Sequence, residues 1–232
     1  IKRNFKKIKD QAQMHSNHAE LLEIKSVIIG KIVHLKFAYS TSDASGQNMT
    51  TSCTWNACLW IEENFELATS IEILNFVIEG NGASDKKVSF YAMQNGRGCH
   101  VISECFLTNE VIEKTLRTNA KEMFNSYNNS LSISRLDGMV GHNVNVANAI
   151  AGIYASTGQD LACIHESSIG ILQIELTKEG LYLSLVLPNL VIGTVGGGTH
   201  LPVPSRILEL MGCKGAGKVE RFAKLIAGFA LS

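Results

Sequence analysis

An uncharged stretch at residues 181–199 (LYLSLVLPNLVIGTVGGGT) restricts the fold more than any other part of the sequence. It has the length of a membrane-spanning helix, but Pro188 and Asn189 interrupt it and glycine is dense at its end. Leucine, valine and isoleucine dominate each half, which favours two buried strands, at 181–187 and 191–195, joined by a turn. We therefore expect a buried sheet and no membrane segment in this chain.

The same stretch ends in a glycine loop at residues 193–199 (GTVGGGT). Consecutive glycines allow a backbone to approach a ligand closely and to present N–H groups to phosphate or ribose. The loop does not have the GxGxxG spacing of the dinucleotide-binding fingerprint. It is not a P-loop either, because no lysine followed by serine or threonine comes after it. Taken alone, it is compatible with a cofactor loop or with a tight turn at a sheet edge.

Composition narrows the class of protein. The 232 residues carry 21 basic and 21 acidic side chains, and this balance argues against a nucleic-acid partner. Hydrophobic residues make up 45% of the chain, so a sizeable core is expected. The six cysteines form no CxxC pair and the seven histidines form no HExxH motif. These patterns predict reduced thiols, no metal site and a cytoplasmic location.

Hydrophobic periodicity predicts an α+β fold in two parts. Residues 1–78 are expected to form a small domain with two strands around Gly30 (24–39), a helix (48–65) and a strand (71–78). This β-α-β order is typical of a ferredoxin-like unit. Residues 79–232 are expected to form part of a larger, helix-rich domain. Its predicted elements are strands at 100–107, 170–175, 181–187 and 191–195, helices at 109–124, 143–156, 204–211 and 218–231, and an irregular segment at 125–141.

A polar motif, DASGQNM, occupies residues 43–49 just before the first long helix. Asp43 is suited to accept a hydrogen bond from a ribose hydroxyl, and the N-terminus of the helix is suited to face a phosphate. Alternatively, Asp43 or Asn48 simply caps the helix.

A second motif, SDKK, occupies residues 84–87 after a glycine-rich turn. A lysine held near carboxylates can polarise a carbonyl group or stabilise negative charge that develops on its oxygen. Alternatively, Asp85, Lys86 and Lys87 form a solvated charge cluster, since lysines are mostly exposed.

The predicted helix at 143–156 carries two amides, Asn145 and Asn148, on the same face as Gly152. Buried amides would need partners, whereas exposed ones would not. Gly158 ends this helix, so Asp160 is expected to project from the turn that follows rather than from the asparagine face.

In this order, the motifs resemble those of 3-hydroxy-3-methylglutaryl-CoA (HMG-CoA) reductases. DASGQNM is followed by DKK, then GHNVNVANAIAGIYASTGQD, then LYLSLVLPNLVIGTVGGGTHLPVP, and the resemblance runs from about Ser16 to the end of the chain. It is closer to the eukaryotic and archaeal class than to the degradative bacterial class. It implies a large helix-rich domain with an inserted small NADPH-binding domain, both incomplete in this chain. The implied activity is reduction of HMG-CoA to mevalonate and CoA by two NADPH.

The resemblance also implies roles for individual residues. Lys86 and Asp160 correspond to catalytic residues of the family, with Lys86 stabilising charge on the thioester and aldehyde oxygens. Asp85, Lys87 and Asn148 correspond to substrate-binding residues. The residues that correspond to NADPH contacts are Asp43, Gly46, Gln47, Asn48, Gly196, Gly197, Gly198 and Thr199.

Further expectations concern partners and missing parts. The resemblance implies HMG-CoA or a related acyl-CoA as substrate and a homodimer or higher homo-oligomer with active sites between subunits. It also implies that the family's catalytic glutamate and histidine lie outside this chain, so residues 1–232 alone are expected to be inactive. An upstream membrane anchor would make the protein cytosol-facing.

Several positions depart from the family's pattern: Asn17 replaces an arginine, Glu79 a serine, Asn128 a lysine and Asn145 a histidine, and Arg135 and Asp137 stand in a run of small residues. These departures leave open a catalytically weak or inactive homologue that keeps the fold as a nucleotide-binding or assembly subunit. A non-enzymatic α+β binding module with coincidental motifs is the third alternative.

Overall fold

The computed structural model describes residues 1–68, 72–78, 80 and 82–232. The chain divides into two compact units, Ile1–Ala83 and Ser84–Ser232. Helices and antiparallel strands occur in both parts of the sequence, which confirms the predicted α+β class. The sequence placed the boundary between 78 and 79. The assignment of cofactor binding to the first part and substrate binding to the second stays a prediction.

The first unit is a hairpin packed with two helices. Helix α1 (Phe5–Gln13) precedes strands β1 (Glu20–Ile29) and β2 (Ile32–Ser40), which pair antiparallel, and helix α2 (Gln47–Ala68) follows. Gly30 has a φ of 60° at the turn of the hairpin, a conformation that favours glycine. The core of the unit includes Ile8, Ala12, Leu21, Cys53, Ala57 and Ile61.

The strand predicted at 71–78 is not formed over 72–78, and Ile71 lies outside the described residues. Leu74 and Val77 are 86% and 76% exposed, so these two apolar side chains are not buried as those of a core strand would be. Phe76 makes an aromatic contact, with its ring centroid 5.1 Å from that of Trp55 on α2. The predicted strand is therefore missing over 72–78, and the described residues do not form the predicted β-α-β unit.

The second unit is built on a three-stranded antiparallel sheet. Strand β5 (Gly180–Leu190) lies in the middle, between β3 (Cys99–Thr108) and β4 (Ile171–Leu176). Seven α-helices accompany the sheet, within the part of the chain that the structure describes. They are α3 (Phe90–Asn95), α4 (Asn109–Val111, continued by a π-helical turn Ile112–Leu116), α5 (Ala120–Leu136), α6 (Val146–Thr157), α7 (Ile164–Ser167), α8 (Pro202–Leu210) and α9 (Val219–Leu231).

The core of the second unit lies between this sheet and helices α6, α8 and α9. Fully buried members include Ile150, Tyr154, Leu187, Leu208, Phe222 and Ile226. None of the helices in the described ranges is long and apolar enough to cross a membrane.

The turn predicted at Pro188 and Asn189 is wrong, because β5 continues through both residues. Cys99 pairs with Leu190 and Val101 pairs with Leu187, so β5 has one residue more than β3 at this point. Proline is tolerated at such a bulge, where a strand residue is released from the hydrogen-bond ladder. The residues after Leu190 form no strand, so the predicted strand at 191–195 is also wrong.

The predicted helix at 109–124 and irregular segment at 125–141 are replaced by two helices. The first ends at Leu116, where Arg117 has a φ of 56°, and α5 then continues to Leu136. The Asn119 side chain accepts a hydrogen bond from the backbone N–H of Glu122, at 2.9 Å, and so caps the second helix. That cap divides a stretch that was predicted to be one helix followed by a loop.

Candidate active site

Lys86 and Asp160 form the centre of the candidate site in the second unit. The Lys86 Nζ lies 2.9 Å from the Asp160 Oδ2, although the two residues come from segments far apart in sequence. Their side chains are 38% and 33% exposed, so the ion pair remains open to a ligand. The structure therefore brings together the two residues for which the sequence predicted catalytic roles.

Asp160 is held by the end of helix α6. Gly158 ends that helix with a φ of 70°, which turns the chain so that Asp160 begins the next helical turn, Leu161–Cys163. The Asp160 Oδ1 accepts a hydrogen bond from the Ala162 N–H at 3.0 Å. One carboxylate oxygen thus caps a turn, and the other is left for the Lys86 ammonium.

Each member of the pair stabilises the charged form of the other. The hydrogen bond to Asp160 is the main reason that the pKa of Lys86 lies above its ordinary value, and burial opposes it only in part. Burial alone would raise the pKa of Asp160, but hydrogen bonds from Lys86 and the Ala162 N–H lower it below its ordinary value. The site therefore presents a charged lysine next to a charged aspartate at neutral pH.

The backbone at Lys86 adopts an unusual conformation. Lys86 and Ser84 have φ values of 56° and 57°, in the left-handed region that favours glycine. Holding a non-glycine residue there costs about 1–2 kcal/mol, so surrounding contacts must maintain it. One such contact is visible, since the Lys86 N–H donates to the Glu166 Oε1 at 2.9 Å.

Glu166 is the buried member of an ionic cluster that the sequence did not predict. Its side chain is 2% exposed, and the Arg97 guanidinium donates to both of its oxygens, at 2.6 Å and 3.3 Å. The same guanidinium forms an ion pair with Asp85. Asn189 at the bulge of β5 completes the cluster, because its Nδ2 donates to the Glu166 Oε2 at 3.0 Å.

Nothing local in the sequence identifies this cluster. Glu166 lies 69 positions from Arg97 and 80 from Lys86. Its short helix offers too few residues for a periodic pattern. Glu166 follows the apolar residues 161–164 by two positions, and an acidic residue in such a place is more often exposed.

The glycine loop lies against the turn that carries Asp160. Gly158 and Gly198 approach so closely that a side chain at either position would collide with the carbonyl of the other. Gln159 also fixes the start of the loop: its Oε1 accepts from the Gly193 N–H at 2.8 Å, and its Nε2 donates to the Gly193 carbonyl at 3.0 Å. The loop and Asp160 therefore form one local structure.

Within the loop, the predicted cofactor residues differ in accessibility. Gly196 and Gly197 are exposed, with φ values of 72° and 54°, and a Cβ atom at either position would have no neighbouring heavy atom within 4 Å. Their backbone is thus open to a ligand, which fits a phosphate-bearing or ribose-bearing cofactor. The Thr199 hydroxyl instead donates to the Gly196 carbonyl at 2.6 Å, which stabilises the loop from inside.

Two other predicted residues of the second unit, Asn148 and Lys87, form no hydrogen bond or ion pair with Lys86 within the described ranges. Asn148 is exposed, and its side chain makes no hydrogen bond within the described ranges. The Lys87 Nζ donates to the Asp85 carbonyl at 3.2 Å and is also exposed. Of the departures from the family's pattern, Asn128 donates from α5 to the Phe124 carbonyl, and Glu79 of the first unit lies outside the described residues. Substrate binding by Asp85, Lys87 and Asn148 stays a prediction.

The motif at 43–49 lies in the first unit and leads directly into α2. Gly46 has a φ of 72° and packs so closely on the Thr41 side chain that any larger residue would collide with it. Thr41 also donates to the Ala44 carbonyl at 2.7 Å, which tightens the loop. Asn17 and Asn48 line an open pocket of ≈ 470 Å³ at the start of the helix. Cofactor contacts by Asp43, Gly46, Gln47 and Asn48 stay a prediction.

A lysine ammonium paired with a carboxylate beside an open glycine loop is typical of active sites that stabilise negative charge on a reacting carbonyl oxygen. A sequence model of the hydroxymethylglutaryl-coenzyme A reductase family matches residues 1–232. The chain belongs to this family, which confirms the resemblance inferred from its motifs.

Individual relatives agree with this membership. The chain is 36% identical to 3-hydroxy-3-methylglutaryl-coenzyme A reductase of Methanocaldococcus jannaschii over 235 residues, covering 100% of this chain and 58% of the relative. It is 34% identical to reductase 2 of Dictyostelium discoideum over 239 residues, covering 99% and 44%. The chain thus spans little more than half the length of the archaeal relative.

A solved structure supports the fold. The class II 3-hydroxy-3-methylglutaryl-CoA reductase from Streptococcus pneumoniae, bound to NADPH in open conformations, matches with a TM-score of 0.62 and 14% sequence identity. The match covers 100% of this chain and 63% of that one. At this identity the likeness concerns the arrangement of helices and strands alone.

Proposed function

We propose that the protein containing this chain reduces HMG-CoA to mevalonate and CoA, with two NADPH as hydride donors. The observation that carries the proposal is the Lys86–Asp160 ion pair, at 2.9 Å and one-third exposed. Membership of the hydroxymethylglutaryl-coenzyme A reductase family supports it.

Lys86 performs the electrostatic part of the reaction. Addition of a hydride to a thioester carbonyl places negative charge on its oxygen, and an ammonium within hydrogen-bond distance stabilises that charge. Lys86 donates a proton to this oxygen to give a hemithioacetal, and it takes the proton back as the carbonyl re-forms and the C–S bond breaks, which releases CoA as a thiolate and leaves an aldehyde. A second hydride then adds to the aldehyde carbonyl, and Lys86 donates its proton to that oxygen to give the alcohol. Asp160 orients the ammonium and keeps it charged as a substrate excludes water from the site.

NADPH supplies the hydride when it is bound. The open backbone of Gly196 and Gly197 is suited to contact its phosphate or ribose groups, because no side chain stands in the way. Gln159 directly precedes Asp160, and its side chain hydrogen-bonds the Gly193 backbone at the start of the glycine loop. It therefore links the loop to the Lys86–Asp160 pair.

A homodimer or higher homo-oligomer belongs to the same proposal. Lys86 and Asp160 stay partly exposed in the single chain, although a reacting carbonyl benefits from exclusion of water. A second subunit placed over the pair would provide that exclusion.

The test uses the full-length protein and follows loss of NADPH absorbance with HMG-CoA as substrate. Lys86→Met keeps much of the side-chain volume but removes the charge, and we expect kcat to fall by about 10²–10³-fold. Lys121→Met removes an exposed lysine of α5 and serves as the matched control, with kcat expected to be unchanged.

Equal kcat values for Lys86→Met and the wild type would refute the role of Lys86. Absence of HMG-CoA reduction by the wild type, with NADPH binding retained, would instead favour a homologue that keeps the fold as a nucleotide-binding subunit.

A further inference from the structure

We infer that Glu166 is a positioning residue that holds Lys86 on Asp160 through the backbone N–H of Lys86. The inference rests on the proposed function only in taking Lys86 as the reacting ammonium. It gives Glu166 no contact with substrate, because the carboxylate is buried behind the loop that carries the lysine.

Every partner of the Glu166 carboxylate comes from another segment of the second unit. Oε1 accepts from the Lys86 N–H at 2.9 Å and from Arg97 at 2.6 Å. Oε2 accepts from Asn189 at 3.0 Å and from Arg97 at 3.3 Å. A buried carboxylate is stable only when it is paired and hydrogen-bonded, and this one has both kinds of partner. The residue therefore provides a fixed point to which the Lys86 backbone is attached.

The attachment is made at a place where the backbone would otherwise relax. Lys86 has a φ of 56°, which a lysine adopts only when its surroundings demand it. Without the acceptor, the loop would shift towards ordinary backbone angles. Such a shift would turn the Cα–Cβ bond and carry the ammonium away from Asp160. Lys86 is thus held at both ends, by Glu166 at the main chain and by Asp160 at Nζ.

Arg97 makes the positioning cooperative. Its guanidinium pairs with Asp85 as well as Glu166, and Glu166 accepts from the next residue, Lys86. Two consecutive loop residues are therefore held by the Arg97–Glu166 pair. Asn189 connects Glu166 to the sheet, because it donates to Glu166 and its Oδ1 accepts from the Gly98 N–H at 2.7 Å. The geometry of the catalytic lysine is thereby linked to the bulge between β3 and β5.

Two substitutions separate the contributions of the carboxylate. Glu166→Gln keeps the size of the side chain and an oxygen that can accept from the Lys86 N–H, but it loses the charge that faces Arg97. Glu166→Leu removes the acceptor as well. Tyr154→Phe is the matched control: it removes a hydroxyl that bonds Ser167 and the Val191 carbonyl in the neighbouring core, without touching Lys86.

The experiment uses the full-length protein and measures two quantities for each variant. The first is the pKa of Lys86, obtained from the pH dependence of its acetylation by acetic anhydride and read by mass spectrometry. The second is kcat for HMG-CoA reduction. The acetylation readout does not depend on turnover, so it tests the position of Lys86 even when no reaction occurs.

We expect Glu166→Leu to lower the pKa of Lys86 towards its ordinary value, because the ion pair with Asp160 is lost, and to lower kcat by about 10–100-fold. Glu166→Gln should restore part of both quantities. Tyr154→Phe should lower the resistance to denaturant while leaving the Lys86 titration as in the wild type.

A folded Glu166→Leu variant with an unchanged Lys86 titration would overturn the inference, whatever its kcat. If that variant does not fold, Glu166→Gln decides in the same way: kcat reduced with the Lys86 pKa unchanged would overturn the inference. A lowered Lys86 pKa in a protein whose wild type reduces no HMG-CoA would uphold the positioning role and refute the proposed function.

Discussion

The contact between Gly158 and Gly198 predicts that two alanine substitutions in the second unit will be costly and a third will be beneficial. Gly158 combines a φ of 70° with direct contact to the Gly198 carbonyl. An alanine there costs about 1–2 kcal/mol for the left-handed backbone. The collision adds about 1–3 kcal/mol, so the total loss of unfolding free energy is about 2–5 kcal/mol.

Gly198→Ala isolates the collision, because Gly198 does not have a positive φ but a side chain there would meet the Gly158 carbonyl at 2.5 Å. We expect a loss of about 1–3 kcal/mol. Gly152→Ala is the control within helix α6, since no heavy atom lies within 4 Å of the new side chain. It should raise the unfolding free energy by about 0.8–1 kcal/mol, from helix propensity alone.

Guanidinium chloride unfolding of the three variants measures these differences through the transition midpoint at constant slope. The expected order of stability is Gly152→Ala, wild type, Gly198→Ala and Gly158→Ala. A Gly158→Ala variant as stable as the wild type would refute the close packing of the glycine loop on the turn before Asp160.

Two further predictions concern the same local structure. Asp160→Asn should lower the unfolding free energy by at most about 1 kcal/mol at neutral pH, because the pair with Lys86 is one-third exposed. The pKa of Asp160 is lowered and that of Lys86 is raised, so the difference from the wild type should vanish as pH falls through the folded Asp160 pKa or rises through the folded Lys86 pKa. Urea unfolding across pH measures it, and a difference that persists in acid would contradict the ion-pair origin. Gln159→Leu should cost about 1–3 kcal/mol by leaving the buried Gly193 N–H without its acceptor, and it should weaken NADPH binding measured by calorimetry. Unchanged cofactor affinity would show that the loop does not depend on Gln159.

The elements that the sequence predicted well are those whose signal is local. Helices α8 and α9 follow the predicted ranges closely, because their apolar residues recur at helical spacing along a single segment. The hairpin around Gly30 was recognised for the same reason, since alternation and a glycine turn lie within one short stretch.

Errors arose where a second segment decides the local structure. Pro188 is a turn signal in isolation, yet β3 accommodates it as a bulge in a continuous strand. The apolar run at 72–78 was predicted to be a strand, but it forms none, and Leu74 and Val77 remain exposed. For Pro188, the deciding partner β3 is distant in sequence.

In the candidate site, too, the sequence did not reveal contacts between distant segments. Lys86 and Asp160 were predicted through the order of motifs, since nothing in either segment alone shows that they meet. Glu166 and Arg97 escaped prediction because a charged residue is exposed by default, and only the folded chain shows that they neutralise each other.

The bulge that joins Asn189 to Gly98 has a consequence for synthesis of the protein. The acceptor of the Gly98 N–H, Asn189, is synthesised 91 positions later, and the acceptor of the Lys86 N–H, Glu166, is synthesised 80 positions later. At about 5–20 residues per second, a ribosome needs roughly 5–18 s to produce the 91 intervening positions. During this interval β3 has no central strand to join, so its apolar residues are open to chaperones and to other nascent chains. The contacts that join Lys86 and Gly98 to Glu166 and Asn189 therefore form late in synthesis, after β5 has been made.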